Sequence, residues 1–207
     1  TSKGGGAVDV QVINPKANAK GTTTTRMLGR IGRKSSTDAA GNLLSPSAAG
    51  AQNVTLSAQS ADQANAGFST ASGGLITVTA GSSANADSAP VVTTEIGAGE
   101  IVASGDVAID AIANTDADAT ADTRSGGVVR VTSFSANASA DATVNTTLMD
   151  NSFVEAGGTL SVDAKHGVKT QGTPTPVALS DGTFDAASGV NVGANAITFD
   201  KPHGLQT

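Results

Sequence analysis

One short pattern occurs five times between residues 54 and 164, and it constrains the fold more than any other feature of the chain. In each copy, three small or apolar residues alternate with mostly polar ones. Successive copies begin 22, 31, 22 and 31 residues apart, so the full repeat is 53 residues long. A fixed period of this size predicts a solenoid. The copies are Val54, Leu56, Ala58; Ile76, Val78, Ala80; Val107, Ile109, Ala111; Val129, Val131, Ser133; and Leu160, Val162, Ala164.

The alternation within each copy is typical of a β-strand with one buried face. We therefore expect the first positions to stack as one interior column, and the second positions to stack as the next. In this register Asp110 and Asp163 lie two turns apart, with Thr132 between them. A Gly two residues before each first position is expected to turn a corner with positive φ. These residues are Gly74, Gly105, Gly127 and Gly158, with Gln52 in the first copy.

Between the copies, Ala occupies alternate positions among Asn, Asp, Ser and Thr, which predicts a second strand in each turn because no helical period emerges. The 22-residue turns contain Ala64, Ala66, Phe68, and Ala117, Ala119, Ala121. The 31-residue turns contain Ala84, Ala86, Val91, Ile96, Ile101, Ala103, and Ala136, Ala138, Ala140, Ala142, Val144, Leu148, Val154, Ala156. Their nine extra residues form either a bulging loop or an additional short strand.

The predicted fold class is all-β: a parallel β-helix or β-solenoid with alternating 22- and 31-residue coils and irregular segments at both ends. Residues 1–50 are expected to be a basic segment with one strand at 7–13 and a loop at 35–50. Residues 51–170 are the repeat region. Residues 171–207 are expected to form a strand and turn of a longer, truncated polypeptide. Thr23, Thr25 and Met27, which follow Gly21, resemble a weak sixth copy.

Charge is distributed unevenly along the chain. Residues 1–34 contain seven Lys or Arg and one acid, a net charge of +6, and the remainder therefore carries −12. Such a segment can indicate a nucleic-acid patch, but the cations are dispersed and no aromatic residue lies among them. We favour a solvated face that partly neutralises an acidic body. The absence of Cys, Trp and Tyr excludes thiolate metal sites and removes the usual stacking platforms.

The run Ala-Gly-Gly-Thr-Leu-Ser-Val-Asp-Ala at 156–164, with its relatives at 71–80 and 103–111, resembles runs in very large bacterial surface and secreted proteins of the filamentous-adhesin kind. Residues 197–207 are similar to a strand-turn motif of giant bacterial exoproteins. The resemblance implies stacked parallel β-helix coils, a structural role and a location outside the cell or at its surface. It carries no catalytic residues.

Few residues offer chemistry. His166 and His203 are the two histidines; they form no metal-ligand pair, and each is expected to be a surface or turn residue. Asp116, Asp118 and Asp122 are oxygen ligands suited to Ca²⁺, but no calcium-binding repeat accompanies them, so solvated outward carboxylates are favoured. The sequence therefore predicts no catalytic, cofactor or metal site. The triplet at residues 4–6 lacks the residues of a phosphate loop and is expected to be a flexible joint.

Threonines at 22–25, 77 and 79 invite comparison with ice-binding arrays, but the outward columns mix in Ala, Arg, Ser and Asp. The favoured function is therefore a non-enzymatic building block of an extracellular bacterial fibre or adhesin, assembling through stacked coils or end-to-end strand contacts. Its expected partners are copies of itself or adjacent parts of a longer chain, with a surface or glycan ligand, no nucleic acid and no membrane span. The alternative is a β-helix module that binds or degrades polysaccharide, with Asp116 and Asp118 as its candidates.

Overall fold

The computed structural model describes residues 1–126, 128–166, 195–199 and 204–206, and these residues form strands, turns and loops with no helix. None of them belongs to a helix that could cross a membrane. The strands are β1 Ser2–Gln11, β2 Lys16–Ala19, β3 Thr22–Met27, β4 Arg30–Ile31, β5 Ser36–Thr37, β6 Leu43–Ser45, β7 Val54–Ser88, β8 Val91–Ile96, β9 Glu100–Ala103, β10 Val107–Gly126, β11 Val129–Ala140, β12 Thr143–Leu148, β13 Phe153–Ala156, β14 Leu160–His166, β15 Asn195–Phe199 and β16 Gly204–Gln206.

Strands one full turn apart pair in parallel, which confirms the predicted all-β class with stacked parallel sheets in a solenoid-like arrangement. Val107 lies beside Val54 on one side and beside Leu160 on the other, so the stacking unit is 53 residues. We call each complete turn a rung. Rung 1 comprises β1–β4, rung 2 β7–β9, rung 3 β10–β13 and rung 4 β14–β16. The sheets follow the orders β1-β7-β10-β14, β3-β8-β12-β15 and β4-β9-β13-β16.

Within a rung the chain runs outward, turns, and returns to face itself. The Ser88 hydroxyl donates to the carbonyl of Asp62 over 3.2 Å, and the Thr94 hydroxyl accepts from the amide of Ala58 over 3.1 Å. These bonds join the outgoing and returning paths across a thin interior. Small side chains let the two layers approach closely over much of that width. Larger side chains fill the interior at the corner where the return path of one rung leads into the outgoing path of the next. The buried residues there include Ile96, Ile101, Val107, Ile109, Leu148 and Val154.

The prediction of alternating 22- and 31-residue coils is wrong. Ile76 pairs with Val129 and with Val8, whereas Val54 pairs with Val107, so the expected single interior column is two separate columns. The shorter interval is the outgoing path of one coil and the longer interval is its return. The sequence suggested five rungs because the same Gly-x-apolar pattern occurs at both corners of the coil.

The side chains at the second corner also face the opposite way from the prediction. Thr77 and Thr79 are buried, while Ile76 is 41% exposed and Val129 is 50% exposed. Rung 2 contains one more residue at Gly81 than the neighbouring rungs have there, and Gly81 has a φ of 70°. The extra residue changes which side chains of the strand face inward. Beyond that point the even-numbered residues are buried: Ser82, Ala84, Ala86 and Ser88.

The Ala-rich positions of the return path agree with the sequence. All eight predicted inward residues of rung 3, from Ala136 to Ala156, are buried, and the nine extra residues form short strands rather than a bulging loop. Val91 is the exception in rung 2, because it lies outside at 37% exposure and Val92 is buried instead. On the outgoing path the predicted second strand is continuous with the first, so β7 and β10 are long.

Residues 1–34 stack on rung 2. Residues 4–6 are not a flexible joint, because Gly5 pairs with Gly73 inside β1. Thr23, Thr25 and Met27 are half-buried as the weak sixth copy requires, but they pair with β8 rather than with the copy at Val54. Residues 35–50 contain an antiparallel hairpin of β5 and β6. Of residues 171–207 only β15 and β16 are described, and they pair with β12 and β13; His203 and Gly127 lie outside the described residues.

Candidate functional site

The basic residues of rung 1 bind acidic residues of rung 2. The strand register places Arg26 beside Glu95 and Arg30 beside Glu100, and each guanidinium lies 2.9 Å from its carboxylate. The carboxylate side chains are only 8% and 11% exposed, so these pairs are better shielded from water than ordinary surface pairs. Lys20 adds a third contact at 2.6 Å to Asp87. Three of the cations in the basic segment therefore form ion pairs that join rung 1 to rung 2.

Three threonines form a second set of contacts between rungs, inside the core. The Thr25 hydroxyl donates to the carbonyl of Ser57 over 2.8 Å, Thr94 to that of Asp110 over 2.5 Å, and Thr146 to that of Asp163 over 2.7 Å. Each bond runs from the return path of one rung to the outgoing path of the next. Buried hydroxyls of this kind need such partners, because an unpaired one is costly. The sequence interpretation missed this ladder, although its signal is a Thr between apolar residues at i−2 and i+2 in rungs 2 and 3.

The first corner of each coil repeats a third contact. The Asn53 side-chain oxygen accepts from the amide of Asp106 over 2.8 Å, and the Asp106 carboxylate accepts from the amide of Thr159 over 2.7 Å. These oxygens occupy the space that a Cβ would need at Gly105 and Gly158. Neither Gly has the positive φ that the sequence analysis expected. The corner glycines are required for close approach between rungs, not for an unusual backbone.

The acidic residues considered for calcium lie on the outgoing path of rung 3, where Asp116 and Asp118 are two residues apart and Asp122 follows four residues later. Asp116 accepts from the Gln63 amide nitrogen over 3.0 Å, and Asp118 accepts over 3.0 Å from the Asn65 amide when its nitrogen faces the carboxylate. Asp122 lies 3.6 Å from the guanidinium of Arg124. No group of three or more His, Asp or Glu side chains in the described parts of the chain could hold a metal ion.

Asp110 and Asp163 are direct neighbours on β10 and β14, so the prediction that they lie two turns apart, with Thr132 between them, is wrong. The stacking unit of 53 residues places them side by side. Burial raises the pKa of Asp110, and the charge of Asp163 adds to the increase while Lys165 opposes it. Hydrogen bonds from Ser161 and then from Lys165 lower the pKa of Asp163.

His166 is neither a surface nor a turn residue, in contrast to the prediction. It lies in β14, half-buried, and its Nε2 is 2.6 Å from the hydroxyl of Thr115. Burial lowers the pKa of His166, and the charge of Asp141 partly opposes this decrease. Its Nδ1 is buried and has no hydrogen-bond partner in the described structure. A neutral imidazole suits this environment, since protonation would place a charge in the interior.

The outer surface beside the second corner is apolar. Val8, Ile76 and Val129 form one outward column across three rungs, and Val10, Val78 and Val131 form the next. We call these six residues the valine face. The hydroxyls of Thr70 and Thr79 are buried on the inner side of the same corner and have no hydrogen-bond partner among the described residues. Four of the six, the residues Ile76, Val78, Val129 and Val131, belong to copies of the repeat that were expected to lie inside, and that expectation is wrong.

Comparison with protein-family models, with curated proteins and with solved structures found no match to this chain. The fold and the contacts between rungs are therefore the basis for any statement about function.

Proposed function

We propose that this chain is a structural building block of an extracellular bacterial fibre or adhesin. It assembles by stacking coils end to end, either with copies of itself or with adjacent parts of a longer chain. The proposed mode is a parallel β-solenoid that continues across the boundary between units. A bacterial surface or a glycan is the proposed target of the finished assembly, in line with the resemblance of the repeat runs to filamentous-adhesin proteins.

The observation that carries this proposal is the recurrence of the same contacts from one rung boundary to the next, with the threonine contact at all three boundaries and the corner contact at the two boundaries between rungs 2, 3 and 4. Corner oxygens bond the next corner's amides, and core threonines bond the next rung's carbonyls. These recurring side-chain hydrogen bonds therefore join one coil to the next. A chain whose repeated chemistry is directed along its own axis is suited to a scaffold.

Strand edges support the same mode of assembly. In the described part of the molecule, β1, β3 and β4 are the outermost strands at one end of their sheets, and β14, β15 and β16 are outermost at the other. Exposed parallel edges accept further strands. Because the two ends differ, the contact is heterologous, and a heterologous contact that does not close generates a filament.

Charge supports the direction of stacking. Residues 1–34 carry +6 and the remainder of the chain carries −12. Within the molecule, the Arg26–Glu95 and Arg30–Glu100 pairs illustrate how a basic rung binds an acidic one. The last rung, from residue 160 onward, is nearly neutral, with four Asp and three Lys, whereas residues 107–159 of rung 3 contain seven acids and two Arg. Rung 3 lies about one strand spacing further from the boundary, within the Debye length at low salt, so the basic first rung of another unit is still attracted to this end.

An edge variant tests end-to-end assembly. The carbonyls of Gly21 and Met27 accept from the amides of Val91 and Gly97 in rung 2. The backbone amide of Thr24 lies at the opposite parity and therefore points toward the open edge. Thr24→Pro removes that donor, a change that edge strands tolerate. We expect the wild-type sedimentation coefficient to rise with protein concentration more strongly at low salt than at high salt, and the variant to lose this additional rise at low salt.

The matched control is Thr24→Ala, which keeps the backbone amide and should assemble like the wild type. A wild-type sedimentation coefficient that is no larger at low salt than at high salt, at every concentration, would refute the proposed function. Equal assembly by Thr24→Pro and Thr24→Ala would show that this strand edge takes no part.

A further inference from the structure

The valine face is unusual because apolar and polar residues have exchanged their ordinary places. Val8 and Val10 are 61% and 63% exposed, and Val131 is 50% exposed, while the threonines between the corresponding positions of rung 2 are buried. In a strand, a one-residue slip moves every side chain to the other face. A slip here would bury the valines and expose the unpaired hydroxyl of Thr79 to water, together with that of Thr77, whose only hydrogen bond among the described residues is a long one of 3.4 Å to the carbonyl of Gly126. The outward placement is therefore favourable only if another surface covers the valines.

From this arrangement we propose that the valine face is the lateral interface between two copies of this chain. Leu75 and Val128 extend the face at the corner, and Val12 extends it along rung 1; all three are exposed. The two copies pack sheet against sheet, each presenting the same columns to the other. Contacts of this type are isologous and close into a dimer.

The area of the face agrees with what a dimer needs. Full burial of a Val, Leu or Ile side chain contributes about 1.5–3 kcal/mol. At about 25 cal/mol per Å², this free energy corresponds to about 60–120 Å² of apolar surface. Nine roughly half-exposed side chains therefore supply on the order of 400 Å² of apolar surface on each copy. Apolar atoms usually supply about 57% of the area of an interface, and a polar rim supplies the rest. On that basis each copy buries about 700 Å² in total, close to the ~800 Å² per partner of a standard interface.

The shape and chemistry of the face favour a second copy over other occupants. Its columns lie on the ~4.8 Å spacing of adjacent strands, which the same face on another copy matches, and two sheets pack at about 10 Å with interdigitated side chains. A lipid surface is favoured by Lys, Arg and Trp around an apolar face, whereas the six columnar residues are uncharged and the chain contains no Trp. An added peptide strand needs a backbone edge, whereas this face presents side chains.

The lateral interface is separate from end-to-end stacking and does not depend on the proposed function. Stacking uses backbone edges and charge and weakens with salt, whereas the valine face is apolar and its association is maintained or strengthened by salt. Mass measured at high salt therefore reports the lateral contact, and a failure of either mode is recognised without the other.

The test is the mass of the intact chain in solution at high salt, measured by light scattering over a range of concentrations. We expect twice the 20.1 kDa chain mass for the wild type. Val129→Thr combined with Val131→Thr preserves side-chain shape and strand propensity and should raise the dimer dissociation constant at least tenfold. Val91→Thr is the matched control, because Val91 is also exposed but belongs to β8, and it should leave the dissociation constant unchanged.

A second pair of variants guards against a folding defect. Val8→Thr with Val10→Thr changes the same face on rung 1 and should weaken the dimer similarly. Because the chain contains no Cys, Val78→Cys introduces a single thiol, which should become protected from a maleimide reagent as the dimer forms. A monomeric wild type, a dimer unaffected by both double variants, or a thiol protected in a monomer would each overturn the proposal.

Discussion

Asp110 and Asp163 lie side by side on neighbouring parallel strands, and the two carboxyl groups have pKa values that move in opposite directions. Asp163 is held ionised by the hydroxyl of Ser161 and the ammonium of Lys165, the latter 3.0 Å away. Asp110 is half-buried next to that charge. Like charges directly opposite each other on adjacent strands are destabilising, so this pair is expected to reduce the stability of the boundary between rungs 3 and 4.

Replacing Asp110 should therefore stabilise the protein near neutral pH. Because the folded-state pKa of Asp110 is raised, its contribution to stability is complete below the unfolded-state pKa and is lost as pH rises through the folded value. Asp110→Asn does not ionise and should raise the free energy of unfolding by up to about 1 kcal/mol at pH 7, with a smaller gain at pH 3. Urea denaturation at both pH values measures the difference. Asp116→Asn is the control and should give no gain; an equal gain from both would point to net charge instead.

His166 should make the protein less stable in mild acid. Its folded-state pKa is lowered below 6.5, so the stability of the neutral form is present above the unfolded pKa and is lost as pH falls through the folded value. An NMR titration of the ring should give a midpoint below 6.5, and His166→Gln should flatten the dependence of unfolding free energy on pH between 7 and 5. A titration midpoint above 6.5 would show that the imidazole is not buried next to Thr115.

The corner glycines should not tolerate a Cβ. At Gly105 an added Cβ would overlap the Asn53 side-chain oxygen and lie 2.8 Å from the carbonyl oxygen of Gln52. Gly105→Ala should cost about 1–3 kcal/mol through this overpacking. Gly73→Ala is the matched control, since nothing lies within 4 Å of its added Cβ and the alanine should be neutral or slightly stabilising. Thermal denaturation compares the two variants; similar melting temperatures would contradict the close-approach role.

The core threonines should contribute more to the stability of the fold than the size of their side chains suggests. Thr94→Val removes a hydroxyl that bonds both the amide of Ala58 and the carbonyl of Asp110, leaving two buried backbone groups without that partner. The expected cost is about 1–3 kcal/mol. Thr93→Val changes an outward neighbour on the same strand and should have little effect. If denaturation curves for the two variants coincide, the ladder is not a significant part of the stability of the stack.

The sequence predicted the return path well and the corners poorly. From Ala136 to Ala156 the eight predicted residues all lie at even positions and all are buried, although Met149 and Phe153 lie out of phase and are half-buried. Around Ile76 the alternating partners are threonines, and Val and Thr have similar shapes and similar strand propensities. Periodicity alone does not say which of the two faces inward. The inward placement of Thr77 and Thr79, and the phase change at Gly81, depend on how the chain folds back at the corner.

The 53-residue period was visible in the sequence, but its division into rungs was not. Equal patterns begin near Gly74 and Gly105, and spacing does not reveal that they lie at opposite corners of one coil. The same error separated Asp110 from Asp163 by one turn too many. The contacts of Asn53, Asp106 and Thr94 could not be predicted either, because they depend on which residues lie one full coil apart.

Electron cryomicroscopy of concentrated protein at low salt tests the central claim most directly. The proposal predicts filaments in which strands lie across the axis and rungs repeat at about 4.8 Å without interruption from one unit to the next. Laterally paired filaments would also fit, with the valine faces between them. Isolated particles one unit long at all concentrations, or filaments in which the strand spacing is interrupted at each boundary, would contradict end-to-end stacking of coils.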